Sequence, residues 1–255
     1  MTSRDRLRIA LPKCAELPAI CEQFRACGFP VPDLSTAGLH LIKDPINCGF
    51  DFEIFRLAAP DVGTYVEHAI SHVGIMGTDL LRESDAEVWR PLTFPYGKYP
   101  LVFAAPRGES IASLSARPQI RIATPYPRYT RELFAHRGLA AEIVAVSDST
   151  TACLLGLADG YVDRLTDPQS LLDHDFRVVE LLGYTRLKLI VNRACWARRR
   201  IAIQLLVQRL ELHQPLPPAE IFIPFDDEDD LQLVRPWEGE SEASEGSDEA
   251  EDSVG

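Results

Sequence analysis

The sequence predicts an α/β protein in two lobes, with helices packed on parallel strands. Apolar runs of strand length alternate with segments of helical periodicity along most of the chain. Polar residues follow several of these strands, as is typical of the edge where parallel strands end. The length of 255 residues is sufficient for two lobes, each with its own core.

The first part of the chain repeats strand and helix in short succession. After the first strand, the turn at Pro12 leads into a helix that ends at Gly28. A second helix opens at Pro60, and a third begins at Gly77. The predicted strands are 7–11, 52–57 and 73–76. The apolar helical positions are Leu17, Ile20, Cys21 and Phe24 in the first helix, and Val62, Tyr65, Val66, Ala69 and Ile70 in the second.

A second unit begins with the apolar run at Leu101. Pro127 is well placed as the first residue of a helix that continues to His136. A long helix is predicted from Trp196 to Leu212, with an apolar face through Ile201, Leu205 and Leu206. The remaining predicted elements are strands 101–105, 121–124, 142–146, 160–165, 177–182 and 187–192, and a short helix over 152–157.

The net charge of −12 is local rather than general. Residues 226–255 contain 13 acidic residues and one arginine, so the rest of the chain is neutral overall. This balance argues against a nucleic-acid partner. Residues 214–255 are Pro-rich and then acidic, and we expect a disordered tail in which only the apolar piece 221–225 could dock on the body.

The cysteines and the N-terminus indicate a cytoplasmic protein. The six cysteines form no C-x-x-C pair, which favours reduced, small apolar side chains over a zinc site or disulfides. No signal-peptide pattern opens the chain, which argues against a secreted solute-binding protein, and no apolar run is long enough to span a membrane. His68 and His72 could share a helix face, but without a third ligand no metal site is predicted.

Polar residues at predicted strand ends are the candidates for ligand binding. Lys13 follows the first strand, Arg56 ends the second, and Thr78 and Thr124 follow two others. The turn after Asp163 completes the set. Because the carboxyl ends of parallel strands meet at one crevice, this arrangement predicts an anionic small-molecule ligand. The common phosphate motifs G-x-G-x-x-G and G-x-x-x-x-G-K-[ST] are absent from the sequence.

Several segments, in the right order, resemble the ATP phosphoribosyltransferase family. The longest is FRLAAPDVGTYVEHAISHVGIMGTDLL at 55–81, which follows LRIALPK at 7–13. RIATPYPRYTRELFAHRG at 121–138, GLADGYVD at 156–163 and LIVNRA at 189–194 complete the match. Pro-rich and acidic sequence stands where the family's long form has a regulatory domain, so the chain resembles the short form.

The resemblance implies a two-lobed fold like that of type II periplasmic binding proteins, with the active site in the inter-lobe cleft. Lobe I would comprise 1–98 and 182–213, and lobe II 99–181. The implied reaction joins ATP to phosphoribosyl pyrophosphate, giving phosphoribosyl-ATP and pyrophosphate, with Mg²⁺ bound to the substrate. It is the first step of histidine biosynthesis. The implied partner is a regulatory subunit resembling histidyl-tRNA synthetase, in a homo- or hetero-oligomer.

The resemblance also suggests roles for individual residues. Lys13 and Arg56 occupy positions suited to phosphate oxygens, and Asp159 and Asp163 positions suited to ribose hydroxyls beside the phosphoribosyl loop. Thr150 stands where the family has Glu. The loop itself corresponds to Thr166, Asp167, Pro168, Gln169, Ser170 and Leu171.

The loop departs from the family pattern at the residues that would contact phosphate. Pro168 replaces a glycine and lacks an N–H donor, and Asp167 adds a negative charge where the ligand is negative. Ser170 keeps a hydroxyl in place of the family's threonine. Two hypotheses therefore stay open at this point: a catalytic subunit, or a catalytically silent relative that binds ligand or regulates.

Overall fold

Two mixed β-sheets, each packed against helices, form the body of the protein. The computed structural model describes residues 5–217 except 33, 35–37 and 48, and shows a six-stranded and a five-stranded sheet. The expected apolar piece at 221–225, the acidic residues after it and Cys48 lie outside the described residues.

The first sheet has the order β2-β3-β1-β4-β11-β5. Its centre is parallel, because β1 pairs in parallel with both β3 and β4. β2, β11 and β5 pair antiparallel to their neighbours. The strands are β1 (Arg6–Lys13), β2 (His40–Ile42), β3 (Asp51–Ala58), β4 (Val73–Gly77), β5 (Trp89–Thr93) and β11 (Leu187–Val191).

The second sheet has the order β10-β6-β9-β7-β8. β7 pairs in parallel with β8 and β9, whereas β6 is antiparallel to both of its neighbours. The strands are β6 (Tyr99–Pro106), β7 (Ile120–Thr124), β8 (Ala141–Ala145), β9 (Gly160–Arg164) and β10 (Phe176–Thr185).

The helices lie between the strands and close the chain onto the first sheet. They are α1 (Leu17–Ala26), α2 (Asp61–Glu67), α3 (Thr78–Ser84), α4 (Ile111–Ser115), α5 (Pro127–His136), α6 (Ser149–Leu154), α7 (Pro168–Asp173), α8 (Arg193–Arg198) and α9 (Arg200–Leu212). Burial of Ile203, Leu206 and Leu210 places α9 in the core of the first sheet. Gln23 donates to the carbonyl of Leu210 at 2.9 Å, which ties α1 to α9.

The two sheets define two lobes. The first contains β1–β5 and β11, and the second contains β6–β10, so the chain crosses between them after β5 and again after β10. The second sheet extends through Thr185, beyond the position 181 at which lobe II was expected to end. Each lobe buries its own apolar cluster.

Helix α2 packs unusually close to β4. A Cβ atom added at Gly74 would lie 2.6 Å from Cγ1 of Val62 and 2.9 Å from Cγ2 of Val66. Any larger residue at position 74 would therefore push α2 away from the sheet. Since Ala59 and Pro60 immediately precede α2, the glycine also sets the position of this connection.

The structure corrects several sequence-based expectations. The sheets are mixed, and the short elements β2, β5, α4 and α7 were not predicted. α2 ends at Glu67, and Tyr65 and Ile70, which were expected to be core residues, are exposed. The long C-terminal helix is broken at Arg199 into α8 and α9, and Ile201 is 68% exposed.

Candidate active site

A cleft of about 590 Å³ lies between the lobes, where the carboxyl ends of their strands face each other. A volume of this size suits a nucleotide-sized ligand. The wall from lobe I consists of residues after β3 and on α3, and the wall from lobe II of residues at the carboxyl ends of β7, β8 and β9 and in the turns after β7 and β8. The lining comprises Ala59, Pro60, Leu80, Glu83, Ser84, Thr124, Pro125, Tyr126, Pro127, Ala145, Val146, Ser147, Asp163 and Arg164.

Asp163 provides a carboxylate to the cleft from near the end of β9. It accepts hydrogen bonds from the hydroxyl of Ser149 at 3.0 Å and from the N–H of Arg164 at 2.7 Å. Burial raises the pKa of Asp163, and nearby Asp79 adds to the effect. The carboxylate is thus oriented on two sides, as required for an acceptor of ligand hydroxyl groups.

Asp79 joins the two lobes beside this carboxylate. It belongs to α3 of lobe I, and its side chain is 1% exposed. The hydroxyl of Tyr126 in lobe II donates to Oδ2 of Asp79 at 2.7 Å, and Nε of Arg164 lies 3.5 Å from the same oxygen. Burial raises the pKa of Tyr126, and the nearby charge of Asp79 raises it further. The hydroxyl therefore stays protonated and able to donate.

Glu83 makes a second connection between the lobes. Its carboxylate accepts hydrogen bonds from the N–H groups of Arg128 at 3.0 Å and Tyr129 at 2.9 Å, at the start of α5. The Arg128 side chain in turn donates to the carbonyls of Arg82 and Glu83. A side chain of lobe I therefore caps a helix of lobe II, which satisfies N–H groups that have no partner within the helix.

The segment that corresponds to the phosphoribosyl loop is short and leads directly into α7. Asp167 is the N-cap of this helix and accepts a hydrogen bond from the N–H of Gln169 at 3.0 Å. Pro168 is the first helical residue, a position where the missing N–H costs no hydrogen bond. The turn expected over 166–170 is thus mostly helix, and its capping group is the protein's own carboxylate.

The remaining residues of this segment face different environments. Thr166, Asp167 and Gln169 are exposed, whereas Leu171 is 2% exposed and packs in the core of lobe II. The Gln169 side chain donates to Asp173 at 2.8 Å, and the carbonyl of Ser170 lies 2.7 Å from Nδ1 of His174. The side chain of Leu171 therefore packs in the core and is not available to contact a ligand.

Asp159 lies at the opposite end of β9 from Asp163. Four residues of extended strand separate the two positions by about 13 Å. Asp159 accepts a hydrogen bond from the N–H of Arg121 at 2.8 Å and lies 3.6 Å from Arg117. Burial would raise the pKa of Asp159, but these interactions with Arg121 and Arg117 hold it below its usual value. The structure thus does not bring Asp159 to the cleft beside Asp163.

Three of the four candidate threonines are engaged within the protein. Thr78 accepts a hydrogen bond from the N–H of Arg186 at 3.0 Å, and its own N–H donates to the Arg186 carbonyl at 2.9 Å. The Thr124 hydroxyl is buried and accepts from the N–H of Tyr126 at 3.0 Å. Thr150 shares a hydrogen bond with the hydroxyl of Tyr161. These residues shape the cleft and the inter-lobe connection.

Lys13 and Arg56 lie at the carboxyl edge of the first sheet. Lys13 is the exposed last residue of β1 and is paired in register with Ala58, and Arg56 is paired with Leu11. Neither is among the described residues that line the 590 Å³ cleft. They occupy the same sheet edge as Ala59 and Pro60, which do line it.

His68 and His72 do not form a pair of ligands. His68 caps the end of α2, whereas Nδ1 of His72 accepts a hydrogen bond from the N–H of Arg8 at 2.9 Å. Within the described part of the chain, no group of three or more His, Cys, Asp or Glu residues could hold a metal ion. None of the helices described is long and apolar enough to cross a membrane.

Comparison with known sequences identifies the family. The family model "HisG: ATP phosphoribosyltransferase" matches residues 58–212. The chain belongs to the ATP phosphoribosyltransferase family. The ATP phosphoribosyltransferase of Syntrophotalea carbinolica is 34% identical over 212 residues, which cover 81% of this chain and 94% of the relative. The ATP phosphoribosyltransferase of Symbiobacterium thermophilum is 36% identical over 207 residues, which cover 80% of this chain and 93% of the relative.

Solved structures show the same fold. The chain superposes on a chain of the ATP phosphoribosyl transferase (HisG:HisZ) complex from Thermotoga maritima with a TM-score of 0.71 and 23% identity, covering 81% and 97% of the two chains. The periplasmic aliphatic sulphonate binding protein SsuA from Escherichia coli superposes with a TM-score of 0.52 and 13% sequence identity. The match covers 83% of this chain and 73% of that chain. The expected fold, two-lobed and like that of type II periplasmic binding proteins, is therefore confirmed.

The sequence did not single out some of the residues that the structure places in or beside the cleft. Asp79 was recognised only as part of a helix start, and Glu83, Tyr126 and Arg164 were not proposed. A signal existed for Asp79, since an acidic residue two positions after the end of a buried strand lies near the carboxyl edge of the sheet. No local signal pairs it with Tyr126, because that contact depends on how the lobes are oriented.

Proposed function

We propose that this chain is the catalytic subunit of an ATP phosphoribosyltransferase, which joins ATP to phosphoribosyl pyrophosphate and releases pyrophosphate. The main support is the family match, which spans both walls of the cleft and both lobes. The substrates are metabolites of the cytoplasm, and we place the reaction there. By this proposal the protein catalyses the first step of histidine biosynthesis.

The reaction requires positioning and charge stabilisation rather than a covalent intermediate. N1 of ATP attacks C1 of the ribose as the C1–O bond to pyrophosphate breaks, and the electron pair of that bond leaves with pyrophosphate. We assign Asp163 to the ribose hydroxyls, because two donors hold its carboxylate in place at the cleft. Lys13 and Arg56, at the facing sheet edge, are assigned to phosphate oxygens.

The phosphoribosyl loop corresponds to residues 166–170. The exposed Thr166 and the hydroxyl of Ser170 are the groups assigned to the phosphates, whereas Leu171 and Asp159 have no assigned contact with substrate. Mg²⁺ enters as part of the substrate, bound to the diphosphate, and Asp163 is a carboxylate of the cleft wall that precedes the loop by three positions in the sequence. The ion neutralises charge on the leaving pyrophosphate.

We also propose a hetero-oligomer with a regulatory subunit that resembles histidyl-tRNA synthetase. The resemblance to the short form of the family supports this partner, as does the structural similarity to a chain of the Thermotoga maritima complex. The surface that would bind the partner is not assigned.

The proposal is tested by mixing the purified full chain with ATP, phosphoribosyl pyrophosphate and Mg²⁺, with and without the candidate regulatory subunit from the same genome. We expect phosphoribosyl-ATP to form, seen by ultraviolet absorbance and confirmed by mass spectrometry. Omission of phosphoribosyl pyrophosphate is the control. Absence of product in every mixture, together with failure to rescue a histidine auxotroph, would instead indicate the silent relative.

A further inference from the structure

One end of the first sheet carries an exposed patch of arginine and tryptophan side chains. Trp89 begins the edge strand β5 and is paired in register with Val191, the last residue of β11. The chain then enters α8, whose Trp196 ring lies 3.9 Å from the Trp89 ring, centroid to centroid. We name this surface the arginine–tryptophan patch; it comprises Trp89, Arg193, Trp196, Arg198 and Arg200.

The patch is basic. Arg193, Arg198 and Arg200 are exposed, and the ion pair of Arg193 faces solvent. Arg193 lies 3.6 Å from Glu87, and both side chains are about 70% exposed or more. Arg199 turns inward, 3.3 Å from Asp5 and near His72. Glu67 also lies here, because its carboxylate accepts a hydrogen bond from the N–H of Glu87 at 2.9 Å. Four arginines thus face three carboxylates, and the surface keeps a net positive charge.

The C-terminal part of the same chain has the complementary chemistry. Residues 226–230 are five consecutive acidic residues, DDEDD. They are followed by LQLVRPWE, which contains aliphatic residues and Trp237. Acidic groups beside apolar and aromatic side chains match a surface that combines exposed arginines with the exposed ring of Trp89.

The distance from the described chain to the patch is short compared with the length of the segment that would span it. The side chain of Gln214 donates to the carbonyl of Thr93 at 3.2 Å, so the described chain runs beside the far end of β5 just before it ends at Pro217. Trp89 is about 13 Å away along that strand. The 11 residues 215–225 can span about 36–40 Å when extended, which is ample to return along the edge of the sheet.

We propose that residues 226–237 bind the arginine–tryptophan patch of their own chain. The acidic run pairs with the arginines of α8 and α9, and the apolar residues after it cover the exposed ring of Trp89. Residues 226–237 contain five acidic residues and one arginine, a net charge of −4, so docking neutralises the basic patch on the body. The inference is independent of the proposed enzymatic activity.

Hydrogen–deuterium exchange of the full chain tests the proposal. We expect the amides of 226–237 to exchange about tenfold more slowly in the native protein than in the isolated synthetic peptide. Arg198→Glu with Arg200→Glu should abolish this protection, as should about 1 M salt. The matched control, Lys43→Glu with Arg131→Glu, makes the same change in net charge at exposed residues elsewhere and should leave the protection intact.

A charge swap makes the test specific. The amides of 226–237 should lose their protection when lysine replaces the four aspartates of the acidic run, Asp226, Asp227, Asp229 and Asp230. Combining this lysine tail with Arg198→Glu and Arg200→Glu should restore the protection. Protection equal to that of the free peptide, or unaffected by reversal of the patch, would overturn the proposal. Protection that rises with protein concentration would overturn it in favour of a tail from a neighbouring copy. Loss of protection on adding a DNA duplex without restoration by the charge swap would overturn it in favour of a nucleic-acid surface.

Discussion

Two aspartates four positions apart on one strand illustrate how much the placement of a single residue decides. Asp163 is half-buried in the wall of the cleft, whereas Asp159 forms ion pairs at the other end of β9. Sequence alone treats them as equivalent, because both belong to the segment GLADGYVD. Only the direction of the strand relative to the cleft separates their roles.

Asp163→Asn is expected to lower kcat/KM about 10- to 100-fold, the effect of losing charged hydrogen bonds to ribose hydroxyls. The free energy of unfolding at neutral pH should not fall. Burial raises the pKa of Asp163, so the folded state favours the protonated carboxyl group. The stability that this preference contributes is present at acidic pH and is lost as pH rises through that pKa. Steady-state kinetics and urea denaturation measure the two effects.

Asp159→Asn is the matched control for that experiment. It removes a carboxylate from the same strand but only weakens ion pairs with Arg121 and Arg117. We expect unchanged kcat/KM and a small loss of stability. Equal loss of activity in both variants would contradict the placement of the two carboxylates.

His72 should make stability depend on pH. Burial, with the charges of Arg199 and Arg8, lowers the pKa of His72 from 6.5 to about 4. Between these values the unfolded chain binds a proton that the folded chain does not, so stability falls as pH falls. Since the ring is only partly buried, we expect about 1–2 kcal/mol from this residue.

Urea denaturation at pH 7 and pH 5 measures this contribution. His72→Gln, which can still accept the hydrogen bond from Arg8, should show a smaller decrease in unfolding free energy between the two pH values than the native protein. The exposed His136→Gln serves as control and should behave like the native protein. The same pH dependence in His72→Gln and the native protein would refute the assignment.

At the scale of elements, the capping of α5 by Glu83 holds α3 and α5 together. Glu83→Ala removes the acceptor for two N–H groups, and we expect a loss of about 1–2 kcal/mol, or about 2–8 °C in Tm. Glu132→Ala is the control on the same helix, since it removes only an exposed i,i+4 pair with Arg128. Equal Tm shifts in the two variants would show that the cap contributes nothing.

The start of α7 offers a second prediction at this scale. Asp167 caps the helix where substrate phosphate is expected, and its charge opposes that phosphate. Asp167→Asn keeps the cap but removes the charge, so we expect phosphoribosyl pyrophosphate to bind about 5-fold more tightly, which corresponds to about 1 kcal/mol. Titration calorimetry measures the affinity. Asp173→Asn, at the other end of α7, should leave it unchanged.

The elements that the sequence predicted well are those with a strong local pattern. The strands at the centre of each sheet and the helix after Pro127 were placed to within a few residues. The short edge strands β2 and β5 carry no alternating pattern, and β5 contains Pro91. Asp167-Pro168 is equally typical of a turn and of a helix start, which is why α7 was taken for a turn.

At the scale of the whole molecule, the orientation of the lobes is what the sequence could not provide. Local patterns predicted two units and the edges on which their polar residues lie. The contacts of Asp79 with Tyr126 and Arg164 join distant parts of the chain, and they form only once both sheets are complete. The family resemblance supplied the lobes and the cleft, but not these contacts.

Asp79→Ala is expected to destabilise the protein by about 3–5 kcal/mol, because it leaves the charge of Arg164 without its buried partner in lobe I. Asp79→Asn should cost less, since it can still accept from Tyr126. Asp85→Ala is the control; its carboxylate is 82% exposed and lies 3.6 Å from Arg128. Guanidinium denaturation measures the free energy of unfolding of the three variants. A loss no greater than that of Asp85→Ala would argue against a role for Asp79 in joining the lobes.

The self-capped start of α7 has a consequence for the heat of ligand binding. A loop that becomes ordered only around its ligand loses conformational entropy on binding, which weakens the affinity. Asp167 and Pro168 fix this segment as the chain folds, before any ligand is present. Binding at this segment should therefore have a small entropic penalty and a small change in heat capacity, like the docking of two rigid bodies.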